Sequence, residues 1–592
     1  MQVKKKNYLR TALRTMGFLM KTAPKLLLLL LLFLGVQALV PIVVTTAITR
    51  FIDGAMTFTG IGDSLPILLP LFIALALDAM VGPLVMMIQG ELTDLVAGTM
   101  NDELHGAIDK INTLAVLDDP TTYHRLELLR QEIAYRPVNL LIYSMSIFRM
   151  CITLLVIFIQ LASYSFFIPV ILFISLLPQS VALYKLQVEA FENTVYRSPL
   201  ARRLHYFSEV LLKRNYAQER LVYRFADTVR KKYRDTFQTI YEASKRDRRR
   251  ITIASEWIAL GSVIALILLT LYFFRQVLVG VFSLGALAMF LQYMRLASLS
   301  SFQLIQEGAL LMDTMLFMDH YFDFLGEDRN LKEGNLPLRS IKTIECRGVS
   351  FTYPGRKEPA LKDLNFHIEA PWKVAIVGVN GSGKTTLLKL LLRLYDPDQG
   401  EILVNDHPIS AYKIEDARKA FGVLFQDFGR FSWSAEENIT IARPETKEKD
   451  MASYEMALKT SGAKEVMEEL PHDEETYLGK LYDEGVELSG GQWQKIATAR
   501  AFYREGDGRM FDEPSAALDP LSEKHFWDRL LAWSDNKLTL FTSHRLHGLQ
   551  KADWFLVLNK GVLEQQGTFE DVYEVEGVFR QLYDAQAKAQ EK

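Results

Sequence analysis

The chain has 592 residues, more than one hydrophobic core accommodates, so at least two domains are expected. Its net charge of −3 argues against a nucleic-acid binder, and its two cysteines exclude a disulfide framework. The charge is unevenly distributed along the chain. The first half is apolar with basic connections, whereas the second half is mixed in composition and acidic.

The N-terminal segment up to Lys25 is basic and contains no acidic residue. Apolar residues recur in it at helical spacing, namely Leu9, Leu13, Met16, Leu19 and Met20. This spacing predicts an amphipathic helix on the cytoplasmic membrane surface; an unstructured basic anchor is the alternative. A signal peptide is rejected because the apolar run that follows is too long and further runs come after it. Since this run begins directly after Lys25, we expect no peptidase domain in front of it.

Six apolar runs follow, each near the ~20 residues with which a helix crosses a bilayer. They cover residues 26–48, 65–88, 139–161, 165–185, 252–274 and 281–304. The connections after the second and fourth runs are long, charged and predicted helical, and the later one contains basic clusters at 230–234 and 245–250. By the positive-inside rule these connections and both termini are cytoplasmic. The pattern predicts an all-α, multi-pass transmembrane domain over residues 1–325, located in the cell (cytoplasmic) membrane.

The two long connections are expected to form helical hairpins whose tips contact a cytoplasmic domain. One tip is predicted at 118–126, where Asp119-Pro120 ends one helix and starts another, and the other at 215–224. Charged residues inside the spans are costly unless they face a cavity or each other, which makes them candidates for a translocation path. Snorkelling to an interface, or pairing with a neighbouring helix, is the alternative. These candidates are Asp78, Arg149 and Arg295.

A polar linker at 326–340 precedes a predicted α/β domain at 341–585, which is followed by a tail at 586–592. The α/β domain contains the sequence G-x-x-x-x-G-K-T between an apolar run and a predicted helix, as a phosphate-binding loop requires. Its glycines let backbone N–H groups turn toward a polyphosphate, while Lys384 reaches the terminal phosphates and Thr385 ligates Mg²⁺. The expected ATP-binding residues of this loop are Gly378, Asn380, Gly381, Ser382, Gly383, Lys384, Thr385 and Thr386.

Other short motifs offer side chains for nucleotide chemistry. Tyr353 lies upstream of the loop, where its ring is available to stack on adenine or to serve simply as a strand aromatic. The Gln426 amide is suited to reach Mg²⁺ and the attacking water. Asp512 is expected to hold Mg²⁺, and Glu513 to polarise the water that attacks the γ-phosphate. His544 ends a β-type run and is placed to contact that phosphate.

A second anion site is indicated by an L-S-G-G-Q sequence directly before the predicted helix 493–503. One chain rarely needs two such sites for one nucleotide. This signature consists of Ser489, Gly490, Gly491 and Gln492.

In this order, and after six apolar runs, the motifs resemble an ATP-binding cassette (ABC) exporter of the half-transporter type. The resemblance implies a six-helix membrane domain of the type IV (type I exporter-like) fold joined to an α/β P-loop ATPase domain. It also implies ATP-driven export by alternating access, with ATP and Mg²⁺ as cofactors. The resemblance further implies that two chains pair head to tail, as a favoured homodimer or as a heterodimer, so that the signature of one chain closes over ATP held by the other. Asp519 is then the D-loop aspartate, and the two tips are coupling helices, the second of which reaches the partner's ATPase domain.

The stretches 479–495 and 511–520 are similar to those of bacterial exporters of lantibiotics and related ribosomal peptides. The expected cargo is therefore a peptide or another amphiphile. A lipid flippase or multidrug exporter is the alternative within transport, and an ATP-gated channel or membrane sensor is the alternative outside it. Intact Glu513 and His544 favour repeated turnover, and six spans exclude a soluble nucleic-acid ATPase.

Arg509 departs from the pattern of the strand before Asp512, which is normally apolar because it is central in a parallel sheet. A buried arginine without partners is costly. Either Arg509 therefore lies at an exposed start of the strand, or the strand is weakened.

Overall fold

A computed structural model describes residues 8–590 except 56–57, 59, 134, 178–180, 182–198, 328–329, 447, 515–522, 524–525, 531–536 and 545–548. Its contacts divide the chain into two compact units. The helical unit comprises Met1–Ala107 and Glu127–Glu327, and the α/β unit comprises Ile108–Leu126 and Asp328–Lys592. The α/β unit thus includes a short segment from the first half of the chain.

Helices dominate the chain up to Gly326. They are α1 Tyr8–Thr22, α2 Pro24–Gly54, α3 Ile61–Asp109, α4 Leu114–Asp118, α5 Pro120–Glu132, α6 Arg136–Ala162, α7 Phe167–Leu177, α8 Pro199–Leu212, α9 Ala217–Tyr223, α10 Ala226–Leu278 and α11 Leu284–Gly326, with a 3₁₀ turn at Arg214–Tyr216.

Within the described residues, four segments are long and apolar enough to cross a membrane: α2, α3, α6 and Leu260–Leu278 in α10. They coincide with the first, second, third and fifth predicted runs. The fourth run is described mainly as α7, because residues 178–180 and 182–198 lie outside the described part. The sixth run lies in α11, a helix of 43 residues. The count of six spans stays a prediction.

Three of these helices, α2, α6 and α11, pack against one another in the helical unit. The predicted N-terminal helix is confirmed as α1, which lies against α11. The Thr11 hydroxyl donates to Asp319 Oδ1 at 3.1 Å, and the Arg14 guanidinium lies 4.9 Å from the Phe322 ring centre. Leu13 is 66% exposed, so α1 also presents an apolar surface away from these contacts.

In the described part of the α/β unit, the strands form two sheets with helices around them. The strands are β1 Thr343–Phe351, β2 Leu361–Glu369, β3 Lys373–Val377, β4 Gln399–Val404, β5 His407–Pro408, β6 Phe421–Leu424, β7 Gly508–Asp512, β8 Leu538–Ser543, β9 Trp554–Asn559 and β10 Val562–Gly567. The helices are α12 Lys384–Leu391, α13 Ile414–Lys419, α14 Ala435–Thr440, α15 Met451–Ser461, α16 Lys464–Glu468, α17 Gly490–Tyr503, α18 Phe569–Glu574 and α19 Val578–Gln590.

The larger sheet has the order β10-β9-β3-β8-β7-β6, and the smaller has the order β2-β1-β4-β5. All neighbours from β9 to β6 in the larger sheet run parallel, whereas β10 is antiparallel to β9. Strands buried on both faces are expected to be almost wholly apolar, and β3 matches this expectation, whereas β8 is equally buried but contains Thr539, Thr542 and Ser543. Because parallel strands end at one edge, the carboxyl ends of β3, β7 and β8 lie side by side.

The first predicted hairpin tip contacts the α/β unit, of which it is part. The helix break at Asp119-Pro120 is confirmed, since α4 ends at Asp118 and α5 begins at Pro120. The contacts lie around α4: the Thr113 hydroxyl and the Leu114 N–H both donate to the Leu394 carbonyl, at 2.9 and 3.0 Å. In the helical unit, the second tip exposes apolar side chains, those of Leu221, Val222 and Tyr223.

Arg509 is buried at 2% exposure, so the expected exposed start of its strand is wrong. Its guanidinium folds back over the preceding loop and donates to the carbonyls of Gly506, Gly508 and Arg504, at 2.9, 2.7 and 3.0 Å. Burial lowers the pKa of Arg509 to about 10. The strand is nevertheless complete, because β7 pairs along its length with β6 and β8.

Candidate nucleotide-binding site

The phosphate-binding loop connects β3 to α12, as predicted. Gly383 caps α12 with φ +106°, and a Cβ there would lie 2.5 Å from Leu361 Cδ2, so only glycine fits. Lys384 is 5% exposed, and its ammonium donates to the carbonyls of Gly378 and Val379 at 3.0 and 3.3 Å. Burial lowers the pKa of Lys384, an effect that Glu513 and Asp512 partly offset. An anionic phosphate would further favour the charged form.

Asp512 supplies a buried carboxylate at the end of β7. One oxygen accepts a hydrogen bond from the Thr542 hydroxyl at 2.6 Å. The other, Oδ2, is buried and has no hydrogen-bond partner among the described residues. Mg²⁺ takes oxygen ligands, commonly one or two from protein and the rest from phosphate and water. The orphaned oxygen of Asp512, together with the Thr385 hydroxyl, therefore fits a Mg²⁺ site.

Three predicted catalytic side chains come together at the ends of neighbouring strands. The Gln426 amide donates to Glu513 Oε2 at 3.0 Å, and His544 Nδ1 lies 3.7 Å from the same oxygen. Lys384 Nζ lies 4.0 Å from the other carboxylate oxygen. A cavity contains this cluster and is lined by Asn380, Gly381, Ser382, Gly383, Lys384, Thr385, Thr386, Gln426, Glu513 and His544. The arrangement offers a phosphate cradle with a carboxylate poised over it.

Sequence reasoning did not single out Thr542, which joins the two carboxylate positions. Its hydroxyl donates to Asp512, and the backbone N–H of Glu513 donates to the same hydroxyl at 2.9 Å. This bond holds Glu513 in a left-handed conformation, with φ +50°. The sequence signal that could have identified Thr542 is its position at the end of a predicted strand, two residues before His544.

Tyr353 lies beside the loop, with its hydroxyl 3.0 Å from Thr386 Oγ1. The signature residues Ser489 to Gln492 do not line the cavity that contains Glu513. Ser489 instead caps α17, accepting from the Gln492 N–H at 3.3 Å, and is exposed. Asp519 lies outside the described residues.

The translocation-path candidates make no hydrogen bond or ion pair with one another in the part of the chain that the structure describes. Asp78 is exposed on α3, and Arg295 is exposed on α11. Arg149 on α6 donates to Gln37 Oε1 on α2 at 3.2 Å, the pairing with a neighbouring helix that was the alternative to a cavity role.

The fold and this site define a phosphate-loop ATPase unit fused to a helical unit with membrane-crossing segments. The family model described as ABC transporter matches residues 361–516. The chain resembles a solved structure of a bacterial Atm1-family ABC exporter with ATP bound, with a TM-score of 0.79 over 96% of this chain and 99% of that chain, at 19% identity.

Among curated relatives, the subtilin transport ATP-binding protein of Bacillus subtilis is 29% identical over 491 residues, 81% of this chain and 78% of the relative. The nisin transport ATP-binding protein of Lactococcus lactis subsp. lactis is 33% identical over 51% of each chain. The ATP-dependent lipid A-core flippase of Escherichia coli K12 is 36% identical over 45% of each chain. The chain thus matches about half the length of the last two. The chain thus contains a region that matches the ABC transporter family model and has the fold of an ABC exporter, with ATP and Mg²⁺ as the nucleotide and metal of its ATPase.

Proposed function

We propose that this chain is one half of a dimeric exporter that uses ATP to move a peptide outward across the cytoplasmic membrane. The observation that carries the ATPase part is the cluster of Gln426, Glu513 and His544 beside the phosphate-binding loop. The assignment of a peptide as the cargo is supported by the similarity to the subtilin and nisin transport proteins.

The lengths of the matches favour a peptide over a lipid. The flippase match covers 266 residues, about as many as the stretch from Asp328 to Lys592 contains, so a match of this length requires no more than the ATPase. The subtilin transporter match covers 491 residues and must therefore include much of the helical unit. Cargo is chosen by the helical unit, so the longer match is the more informative one.

In the proposed reaction, α12 and Lys384 bind the phosphates, and Tyr353 stacks on adenine. Mg²⁺, when bound, neutralises phosphate charge, with Thr385 and Asp512 as its protein ligands. Glu513 orients and polarises the attacking water. Gln426 and His544 bracket Glu513 Oε2 and direct that carboxylate toward the γ-phosphate.

Dimer formation completes the site in this proposal. The signature is exposed at the start of α17 and is absent from the lining of the Glu513 cavity. Backbone N–H groups at a helix N-terminus attract anions, so the signature of the partner chain is suited to close over the γ-phosphate. To switch the dimer almost completely, ATP must favour the closed state by about 5.5 kcal/mol.

The basic clusters at 230–234 and 245–250 support an orientation with both termini and the ATPase in the cytoplasm. In this orientation the tips around α4 and α9 act as coupling helices. The exposed apolar side chains of α9 suit it to dock on the partner's ATPase.

The proposal is tested by measuring ATP hydrolysis and peptide uptake in inverted lipid vesicles that contain the wild type, Glu513→Gln or Glu570→Gln. Glu570 is an exposed carboxylate in α18 and provides the matched control. We expect the wild type and the control to hydrolyse ATP faster when a lantibiotic-type peptide is added and to accumulate that peptide, whereas Glu513→Gln does neither.

ATP hydrolysis that is stimulated by lipid, together with movement of lipid instead of peptide, would reject a peptide as the cargo. Hydrolysis without movement of any cargo would support a gating role instead. No hydrolysis by the wild-type homodimer would reject the homodimer and point to a different partner chain.

A further inference from the structure

We propose that the C-terminal helix α19 is a positioning element for His544 and that it acts through Gln586. The side-chain amide of Gln586 donates a hydrogen bond to the backbone carbonyl of His544. The inference rests on the proposed catalytic role of His544 and adds a residue far along the chain from every nucleotide-binding motif.

The position of His544 is not fixed by the sheet. The register of β8 with β3 ends at Ser543, and its register with β7 ends at Thr542, so His544 lies just beyond the last paired residue. Its side chain is 46% exposed. Among the contacts that the structure describes, the bond from Gln586 is one that reaches this main chain from outside the sheet.

Helix α19 is itself firmly anchored in the α/β unit. Phe579 is fully buried, and its ring packs edge-on against Phe555 of β9 with ring centres 5.3 Å apart. Strand β9 pairs directly with β3, which leads into the phosphate-binding loop. Tyr583 packs on Phe569 at 5.4 Å, and Asp584 accepts a hydrogen bond from Tyr573 at 3.1 Å. The helix is thus fixed to the sheet that carries the site.

From this anchored helix, two side chains reach the two flanks of the segment 545–548. Gln586 bonds to His544 before the segment, and Tyr583 accepts a hydrogen bond from the Gln550 amide after it. The two helix residues are three positions apart and so share one helix face. The contact at His544 lies next to the imidazole, whose Nδ1 is 3.7 Å from Glu513 Oε2. Loss of the Gln586 bond should therefore let the imidazole drift from the carboxylate that it brackets.

The test is Gln586→Ala in the full chain reconstituted in vesicles, compared with Gln581→Ala. Gln581 is an exposed glutamine in the same helix, so it controls for helix propensity and loss of an amide. A neutral hydrogen bond accounts for roughly a three- to tenfold change in rate if it acts in the reaction. We expect Gln586→Ala to lower kcat for ATP by this factor with KM changed less than about twofold, and Gln581→Ala to leave both unchanged. Gln586→Arg, which retains a donor, should recover part of the loss.

Positioning is separated from general destabilisation by repeating Gln586→Ala in a His544→Ala background under single-turnover conditions. We expect no additional loss there, because the group that Gln586 positions is gone. A further loss in that background, an unchanged kcat for Gln586→Ala, or an equal loss in Gln581→Ala would each overturn the inference. If His544→Ala itself leaves hydrolysis unchanged, the proposed role of His544 fails as well, so the two failures are distinguishable.

Discussion

Removing one hydroxyl, in Tyr395→Phe, should loosen the contact between the first hairpin tip and the ATPase. Tyr395 is 2% exposed and its hydroxyl donates to Asp118 Oδ2. Burial and this bond both raise the pKa of Tyr395 above its ordinary value, so the hydroxyl stays protonated as a donor. The ring contacts with Phe351 and Tyr353, at 5.0 and 5.5 Å, are kept by phenylalanine.

A hydrogen bond to a charged group is worth roughly 1.5–3 kcal/mol. Asp118 is exposed and regains water when the bond is lost, so we expect a cost below that range and close to that of a typical hydrogen bond, about 1 kcal/mol. That corresponds to roughly a fivefold larger undocked population of the tip. Other bonds, from Thr113 and Leu114 to the Leu394 carbonyl, remain in place. The tip should therefore loosen rather than detach.

The amide of Leu114 reports docking directly, because it donates to the Leu394 carbonyl. Hydrogen exchange of that amide should be about fivefold faster in Tyr395→Phe, and peptide moved per ATP should fall while basal hydrolysis persists. Tyr573→Phe removes a similar tyrosine–aspartate bond, to Asp584, and should leave the Leu114 amide unchanged. Unchanged exchange in Tyr395→Phe, or strict additivity of its effect with that of Asp118→Ala, would refute the reasoning.

Arg509→Ala should lower the free energy of unfolding by about 3 kcal/mol, because three carbonyls lose their donor and a cavity forms; an unchanged melting curve would contradict this. The pKa of Asp119 is held at about 2, below 3.8, chiefly by hydrogen bonds from the two threonines that follow it. The stability that the ionised Asp119 carboxylate adds to the fold should thus be complete above pH 3.8 and lost as the pH falls toward 2. Asp119→Asn should therefore lose less melting temperature on acidification than the wild type does. Equal losses in the two proteins would reject this role of Asp119. When one copy carries Asn380→Cys and the other Ser489→Cys, both in a Cys151→Ala background, we expect a disulfide-linked dimer on non-reducing gels, in an amount that increases with ATP. An amount of crosslinked dimer that does not change with ATP would argue against the head-to-tail site.

Nucleotide chemistry was predictable from sequence because each motif is local. A glycine-rich turn must follow a buried strand and open a helix, so β3, Gly383 and α12 occur where the pattern placed them. Glu513 and His544 then meet because β7 and β8 are neighbouring parallel strands, an order that comes from the fold. The orphaned oxygen of Asp512 is the structural counterpart of the predicted metal ligand.

Contacts between distant parts of the chain were not predictable. In the sequence, Arg509 interrupts an apolar strand without an evident partner. Only the fold shows that its guanidinium donates hydrogen bonds to carbonyls of the preceding loop. Besides Asp118, the tip bonds through Thr113 and Leu114, which lie upstream of the tip predicted from Asp119-Pro120, because the turn at Leu394 accepts them there. Hydrophobic periodicity carries no information about such pairings.

Helix α12 joins the two ends of the proposed coupling. Its N-terminus opens at Lys384 on the phosphate side, and its eight residues extend about 12 Å. Beyond its last residue the chain turns back, and the Leu394 N–H donates to the Lys389 carbonyl at 2.9 Å. The Leu394 carbonyl in turn accepts both bonds from the hairpin tip. Every link between the phosphate loop and the tip is thus a helix or a hydrogen-bonded turn, so we expect a shift of α12 on the proposed closure over ATP to displace α4 with it.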